Sequence, residues 1–310
     1  MPCSRSRRRS ALLLALILLS LGAVGAQVNG ARAATASTGC ARPLLRAGDH
    51  TLHVTVAGVV RSAFVHVPRT ALGHPAPLLM TFHGAGGTGP RMAASSGLLP
   101  VSDRAGFIAA FPTATAPRHV WNAYAEGAPH DVGFAQSLLR RLQASGCLDL
   151  RRISAAGLSV GGGFAARLAC DLSRRLAGVV VVAGALSGLR ACPTGNPVSI
   201  LEIHGTTDPT AHYWGRNGVG GVLAWLARWL ARDDCGPTIH TGIAAPGVQR
   251  LVWAPCKSGS VVQHLIISRG RHQWPGADPP DPGPVSGLSA ASAAWQFLAP
   301  RRLTVSPPAR

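Results

Sequence analysis

Acidic residues are scarce in this sequence: 12 Asp and Glu stand against 30 Lys and Arg, for a formal net charge of +18. The positive charge is almost all arginine, because Lys257 is the only lysine. A surface of this sign attracts anionic surfaces and acidic polymers, although the scattered arginine pairs also suit an ordinary solvated surface. No basic stripe alternates with aromatic residues, so we do not expect nucleic acid as a partner.

The chain also lacks an apolar run that suits a membrane span, which needs roughly 20 residues. The run Ala11–Val24 has 14 residues and follows four arginines within the first nine positions. This order is typical of a secretory signal peptide. We therefore expect residues 1–33 to be a signal, cleaved after Ala26 or Ala33, and the protein to be secreted without an integral span. An uncleaved membrane anchor is the alternative.

No cysteines have the Cys-x-x-Cys spacing of zinc sites, so a zinc site is not expected. Once the signal and its cysteine are lost, six cysteines remain, which in an exported chain indicates up to three disulfides. Cys235 and Cys256 are the best-supported pair, because one ends a predicted helix and the other the next predicted strand. Elimination then leaves two further pairs, Cys170–Cys192 and Cys40–Cys147.

Strand-like and helix-like segments alternate along the rest of the chain, as judged from apolar runs and helical periodicity. The predicted strands are 52–60, 63–67, 78–82, 107–111, 151–156, 179–182, 198–203, 249–253 and 261–267, and the predicted helices are 131–145, 162–172, 222–230 and 290–298. The first two strands are predicted as an antiparallel hairpin. The alternation indicates an α/β class, with a mostly parallel sheet and helices on both faces. We expect one domain over residues 47–300, between a flexible leader at 34–46 and a tail at 301–310.

The stretch Gly157-Leu158-Ser159-Val160-Gly161 follows a predicted strand and precedes a predicted helix. Gly-x-Ser-x-Gly in this setting predicts a nucleophile elbow of the α/β-hydrolase fold, whose tight turn needs small neighbours around the serine. Many such folds insert a helical cap between later core strands. At that point of this chain only the 13 residues Ala185–Pro197 separate two predicted strands, which is too short for a helical cap. We therefore expect little or no cap and an open site that favours bulky or polymeric substrates.

A serine hydroxyl needs a base, and the base needs a group that orients it. Ser159, Asp208 and His272 occur in the α/β-hydrolase order of serine, acid and histidine, the last two in loops after predicted strands. Each has a simpler interpretation, because a loop histidine is often merely solvated and an aspartate before proline often starts a turn. Asp131, Asp233 and Asp234 are weaker acid candidates, since they lie at helix ends where capping suffices.

An oxyanion hole is predicted from two backbone N–H groups, those of Val160 and Ala85. Glycines around Ala85, in His83-Gly84-Ala85-Gly86-Gly87, let the backbone approach a reacting carbonyl. We interpret His83 as a structural residue that holds this loop, and not as a base.

With these motifs in place, the chain resembles the secreted esterases grouped with polyhydroxybutyrate depolymerases, which are related to feruloyl and acetylxylan esterases. The resemblance covers roughly Leu52 to Leu298. It rests on the loop at 83–87, Trp121-Asn122, Asp131-Val132-Gly133-Phe134, the elbow, His204-Gly205-Thr206-Thr207-Asp208-Pro209, Tyr213-Trp214-Gly215 and His272-Gln273-Trp274-Pro275-Gly276. It implies a Ser159–His272–Asp208 triad, no metal or other cofactor, and substrates such as 3-hydroxyacid polyesters or acylated plant polysaccharides.

Three residues depart from this family pattern: Arg271 replaces the usual glycine, His130 an aspartate and His212 a proline. Arg271 would either crowd the catalytic histidine or offer a cation to an anionic acid product. Trp214 and Trp274 would form an aromatic platform for acyl or sugar groups, or would simply be packed. A peptidase of the same fold and a non-catalytic surface binding protein are the alternative functions, and the oligomeric state is left open.

Overall fold

The sheet of this protein is mixed, with parallel strands in its centre and antiparallel strands at both edges. The strands are β1 (Gly48–Val56), β2 (Val59–Val67), β3 (Ala76–Phe82), β4 (Ile108–Pro112), β5 (Leu148–Leu158), β6 (Gly178–Val182), β7 (Ser199–Gly205), β8 (Gly215–Arg216), β9 (Val219–Gly220), β10 (His240–Ala245), β11 (Val248–Trp253) and β12 (Val262–Ile267). The main sheet has the order β1-β2-β4-β3-β5-β6-β7-β12-β11-β10, and β8 pairs with β9 separately. Strands β4, β3, β5, β6, β7 and β12 run parallel to one another, which confirms the predicted mostly parallel sheet.

The computed structural model describes residues 45–124, 130–145, 147–184, 186, 192, 195–217, 219–277 and 287–303. These residues lie in one compact unit, Gly39–Arg310. The predicted signal peptide, Cys40 and nearly all of the predicted leader lie outside the described residues, as do 304–310 of the tail and most of Ala185–Pro197, so the predictions made for them stay predictions. Within the described part of the chain, no helix has both the length and the hydropathy to span a membrane.

Helices cover both faces of the sheet, as predicted. They are α1 (Gly89–Ser95), α2 (Leu98–Ala105), α3 (Asp131–Ser145), α4 (Val160–Asp171), α5 (Val222–Arg232) and α6 (Ala290–Leu298), with short 3-10 turns at Arg69–Ala71 and Lys257–Gly259. One core cluster joins α3, α4 and α5 to the sheet, and a second joins α1, α2 and α6 to the opposite face. Strand residues alternate between the two: Val179 and Val181 lie in the first, Val180 and Val182 in the second. Burial on both faces explains why β6 is an uninterrupted apolar run.

The hairpin and the edges of the sheet differ from the sequence prediction. The β1–β2 turn lies at Ala57-Gly58, where both residues have positive φ (48° and 79°), and not at 61–62 as predicted. Val59 and Val60 therefore belong to the second strand, although both side chains are exposed. Strand β10 was not predicted, because no residue of this edge strand is buried and its sequence has no apolar alternation.

Two of the predicted disulfides are present in the described residues. Cys170–Cys192 joins the end of α4 to a later loop, with a Cα–Cα distance of 5.4 Å. Cys235–Cys256 joins the segment after α5 to the segment after β11, with a Cα–Cα distance of 4.1 Å. Cys147 is also disulfide-bonded, but Cys40, the partner predicted for it, lies outside the described residues.

Candidate active site

Ser159 occupies a sharp turn between β5 and α4. Its backbone has φ 57° and ψ −122°, a conformation that side-chain-bearing residues rarely adopt and that persists only when the surroundings enforce it. Here the backbone of neighbouring segments lies very close to both glycines of the elbow. A Cβ built on Gly157 would overlap the Gly161 carbonyl, and one built on Gly161 would overlap the carbonyl oxygens of Phe82 and His83. Both glycines of the motif are therefore required by space, as expected of a nucleophile elbow.

The elbow is fastened at the carboxyl ends of the parallel strands. The Ser159 N–H donates to the Val182 carbonyl of neighbouring β6 at 2.9 Å, and Gly163 N–H donates to the Ser159 carbonyl at 3.0 Å. One strand further along, Ala183 N–H donates to the Ile203 carbonyl of β7 at 2.8 Å. Ligand-facing groups of parallel sheets collect at this edge. The serine is thus held at the place where catalytic loops converge.

Asp208 and His272 meet at the same edge of the sheet. Asp208 follows β7 and His272 follows β12, and these two strands are parallel neighbours. The Thr207 N–H and hydroxyl both donate to the Gly270 carbonyl at 3.0 Å, which ties the two loops together. His272 Nδ1 lies 2.8 Å from Asp208 Oδ2, with the carboxylate fully buried and the imidazole 20 % exposed. The acid and base of the predicted triad are therefore hydrogen-bonded.

Asp208 is more than a turn residue. Its Oδ1 accepts from the Thr210 and Ala211 N–H groups, both at 2.8 Å, while Oδ2 faces His272 and also His204 Nε2 at 3.2 Å. Burial alone would raise the pKa of Asp208, but hydrogen bonds from His204 and His272 outweigh it and hold that pKa well below its usual range. The carboxylate therefore stays ionised and can orient an imidazole.

The hydroxyl of Ser159 does not form a hydrogen bond with His272 in the described residues. Catalytic hydrogen bonds of this kind are often long in the absence of substrate. Since His272 Nδ1 is engaged by Asp208, Nε2 is the nitrogen available to a serine. The structure thus brings together two of the three predicted residues and holds Ser159 at the same sheet edge, and the catalytic roles themselves stay predictions.

The glycine-rich loop after β3 packs against the elbow. A Cβ on Gly84 would lie 3.6 Å from Ser159 Cβ. Ala85 follows Gly84 and Val160 follows Ser159, so each predicted oxyanion donor is the next residue after this contact. His83 shapes the loop: its Nε2 accepts from Ala114 N–H at 3.0 Å, which leaves Nδ1 to donate to the Gly84 carbonyl at 2.7 Å. Burial lowers the pKa of His83. A neutral, doubly engaged imidazole suits the structural role that the sequence predicted.

The two tryptophans of the predicted platform differ in position. Trp274 is only 2 % exposed, and its indole N–H donates to the Ser96 carbonyl at 2.9 Å. The prediction of a substrate contact for Trp274 is therefore wrong, because the ring is packed in the core. Trp214 is 72 % exposed and rests edge-on against Tyr213, with a centroid distance of 4.8 Å. The prediction of an aromatic contact with substrate therefore remains for Trp214 only.

The three residues that depart from the family pattern have modest roles in the fold. Arg271 is exposed beside His272. His130 precedes α3, and its carbonyl accepts the Phe134 N–H at 2.9 Å. His212 Nε2 lies 3.3 Å from Arg216 Nη1.

Sequence reasoning missed a set of buried polar residues behind Asp208, which we call the buried network. It consists of Glu202, His204, His264 and Tyr213, all between 0 and 3 % exposed. Glu202 Oε1 lies 2.7 Å from His204 Nδ1, and Oε2 lies 2.7 Å from His264 Nδ1. The signal was a charged residue inside the predicted buried strand 198–203, where an unpaired carboxylate would be costly. In the described residues, no group of three or more His, Cys, Asp or Glu has a metal-binding arrangement.

Comparisons with known proteins bear on the family of this chain. Residues 61–211 match the family described as esterase PHB depolymerase. NocK of Nocardia uniformis subsp. tsuyamanensis, which carries the name of an esterase, is 30% identical, over 94% of this chain and 98% of its own length. Feruloyl esterase D of Neurospora crassa is 26% identical, over 92% and 95% respectively. The acetyl xylan esterase from Aspergillus awamori has the same fold, with a TM-score of 0.60 at 14% identity, over 81% of this chain and 99% of that one. The predicted α/β-hydrolase fold is confirmed.

Proposed function

We infer the function of this chain from its family: it belongs to the polyhydroxybutyrate depolymerase-type esterases, which are related to feruloyl and acetylxylan esterases. It is accordingly a carboxylic ester hydrolase. We propose that it cleaves esters through an acyl-enzyme on Ser159, with His272 as base and Asp208 as the residue that orients it. The observation that carries this proposal is the 2.8 Å hydrogen bond between His272 and the buried Asp208, at the sheet edge that also holds the Ser159 elbow.

In this mechanism His272 Nε2 takes the proton of the Ser159 hydroxyl while Oγ attacks the ester carbonyl carbon. The N–H groups of Val160 and Ala85 stabilise the oxyanion of the tetrahedral intermediate. The C–O bond to the alcohol then breaks, and His272 returns the proton to the leaving oxygen. A water molecule repeats the sequence on the acyl-enzyme and releases the acid. Asp208 stays ionised throughout and stabilises the imidazolium.

The first prediction concerns Ser159→Ala, which removes the nucleophile. We expect kcat/KM for nitrophenyl acetate to fall by about 10⁴-fold or more. Ser137→Ala is the matched control: the Ser137 hydroxyl lies on helix α3 and accepts from Arg140 at 2.9 Å, so this variant should keep wild-type turnover. A fluorophosphonate probe should label wild-type Ser159 and leave the alanine variant unlabelled. Unchanged turnover in Ser159→Ala would reject the mechanism, and a wild type that neither turns over nor labels would favour the non-catalytic binding protein.

For the substrate we propose a bulky or polymeric ester, first of all a polyhydroxyalkanoate. The support is the family match and the exposed ring of Trp214 beside Tyr213. Feruloylated or acetylated plant polysaccharide is the alternative, favoured by the names of related proteins. A panel of polyhydroxybutyrate film, feruloylated xylan, acetylated xylan and nitrophenyl esters of graded length decides between them. Release of 3-hydroxybutyrate supports the first proposal, and release of ferulate or acetate alone supports the second.

We further propose that the protein is secreted. The two disulfides of the described residues suit an oxidising compartment, and the apolar run near the start suits a cleaved signal. N-terminal sequencing of protein recovered from culture medium tests this. A mature chain that begins after Ala26 or Ala33 supports secretion, whereas a membrane-bound chain that keeps its first residues supports the anchor.

A further inference from the structure

The buried network connects directly to the carboxylate that orients His272. Glu202 and His204 lie on β7, His264 lies opposite Glu202 on the parallel neighbour β12, and Tyr213 follows β7. The Tyr213 hydroxyl lies 2.9 Å from His264 Nε2. Two histidines therefore contact Asp208, one on each side: His272 toward the reacting serine and His204 toward the protein interior.

The contacts of His204 define its protonation state. Its Nε2 lies 2.7 Å from the Ala211 carbonyl oxygen and 3.2 Å from Asp208 Oδ2. Both of these atoms only accept hydrogen bonds, so Nε2 must carry a proton. Nδ1 lies 2.7 Å from Glu202 Oε1 and donates to it when that carboxylate is ionised. An imidazole that donates from both nitrogens is an imidazolium, and it is fully buried between two carboxylates.

The pKa values agree with these contacts. Burial alone would lower the pKa of His204, but the charge of Glu202 and the hydrogen bonds to Asp208 and Glu202 outweigh it and raise the pKa to about 10. Burial alone would raise the pKa of Glu202, but the charges of His204 and His264 lower it instead. The directions of both shifts favour the charged Glu202–His204 pair over a neutral one.

We propose that His204 is a positioning residue: an imidazolium, held by Glu202, that fixes Asp208 and sets the net charge that faces His272. The inference rests on the proposed function of Asp208 and His272. A cation on the inner side of Asp208 offsets part of the negative charge that His272 would otherwise experience. The acid limb of activity against pH is then expected at a lower pH than it would have without this cation.

Other charged and titratable groups of the described residues lie further from Asp208 or at the surface. Glu202 lies beyond His204, His264 and Tyr213 lie beyond Glu202, and Arg271 is exposed next to His272. The opposite neighbour of β7 is β6, which offers only glycine and valine. Among these groups, His204 is the buried cation that directly contacts Asp208, and Arg271 is an exposed cation that solvent screens.

An electrostatic role and a purely structural role predict shifts of opposite sign. The acid limb of kcat/KM against pH reports the essential base of the free enzyme. Without the His204 charge, His272 faces an undiminished Asp208 charge, so the acid limb moves to higher pH. If His204 only held Asp208 in place, its loss would weaken the Asp208–His272 hydrogen bond and the acid limb would move to lower pH.

The second prediction is therefore made for His204→Gln in the full chain, assayed on nitrophenyl acetate. We expect the acid limb of kcat/KM to move up by about one pH unit and to stay moved in 0.5 M NaCl. Arg271→Ala is the matched control: its shift should be smaller and should vanish in salt. An unmoved limb, or one that moves to lower pH, overturns the proposal.

A direct measurement of the His204 charge needs neither enzyme activity nor a stably folded His204 variant. In ¹⁵N-histidine-labelled Ser159→Ala, both His204 ring nitrogens should show imidazolium resonances up to about pH 9, with His204→Gln used for assignment. A neutral His204 at pH 8 overturns the proposal, even if the esterase mechanism stands. Conversely, if fluorophosphonate does not label the wild type, the esterase mechanism is rejected. The NMR measurement then still reports whether His204 is charged.

Discussion

At the scale of single residues, the proposed chemistry depends on three side chains that follow strands at one edge of the sheet. Ser159, Asp208 and His272 were predicted because each lies in a short motif after a strand, and the motif alone fixes where the side chain emerges. The buried network could not be predicted in the same way. The pairing of Glu202 with His264 depends on the register between β7 and β12, and a parallel register cannot be read from one sequence.

The third prediction tests the space around the elbow with Gly161→Ala. The added methyl would overlap the Phe82 and His83 carbonyl oxygens, which are backbone atoms and cannot move cheaply. We expect a loss of about 3 kcal/mol or more in the free energy of unfolding and a large loss of esterase activity. Gly133→Ala in α3 is the control, because its methyl would meet only Val56 Cγ1 at 3.5 Å. Urea unfolding should show this control unchanged or slightly stabilised, and equal losses in both variants would contradict the argument.

At the scale of elements, the centre of the sheet was predictable and its edges were not. Strands buried on both faces, such as β6, are apolar runs that stand out in any sequence. Strand β10 has no buried residue, and α1 and α2 are too short for a clear periodicity. What the sequence also missed is a contact between a strand and a helix: Arg61 of β2 and Asp131 of α3 form a buried ion pair at 2.8 Å.

The Arg61–Asp131 pair connects three parts of the fold. The Arg61 guanidinium lies 4.3 Å from the Phe134 ring centroid, and Asp131 Oδ2 accepts the Asn122 N–H at 2.7 Å. Asp131 is thus engaged in structure, which agrees with its low rank as a catalytic acid. Asp233 is similarly engaged, since it pairs with Arg232 and accepts the Val198 N–H.

The fourth prediction compares this buried pair with an exposed one. Asp131→Ala leaves the Arg61 charge buried without its partner, and we expect a loss of about 3–5 kcal/mol. Asp149→Ala breaks the Arg302–Asp149 pair, whose arginine side chain is 52 % exposed, and should cost less than about 1 kcal/mol. Chemical denaturation of both variants measures the difference. Similar losses of unfolding free energy in the two variants would show that burial does not determine how much the Arg61–Asp131 pair contributes to stability.

At the scale of the whole molecule, the scarcity of acidic residues and of lysine simplifies the response to pH. Lys257 is the only lysine and the chain has two tyrosines, so few groups other than His204 change charge between pH 7 and pH 10. The folded-state pKa of His204 is about 10 and its usual value is 6.5. A pKa raised by folding means that the folded state binds the proton more tightly, so its stabilisation is complete below pH 6.5 and is lost as the pH rises toward 10. The carboxylates behave oppositely: the pKa values of Asp208 and Glu202 are lowered, so their stabilisation is lost in acid.

The fifth prediction follows from these signs. We expect thermal stability to be greatest between about pH 4.5 and 6.5 and to fall on both sides. On the alkaline side, one proton released on unfolding corresponds to at most about 1.4 kcal/mol per pH unit, or roughly 2–4 °C in Tm for a chain of this size. His204→Gln should flatten the curve between pH 7 and 9, while the exposed-site variant Arg271→Ala should keep the wild-type slope. A wild-type Tm that is constant or rising over this range would mean that the interior does not hold a proton on His204, because a buried imidazolium must make folding weaker as protons become scarce.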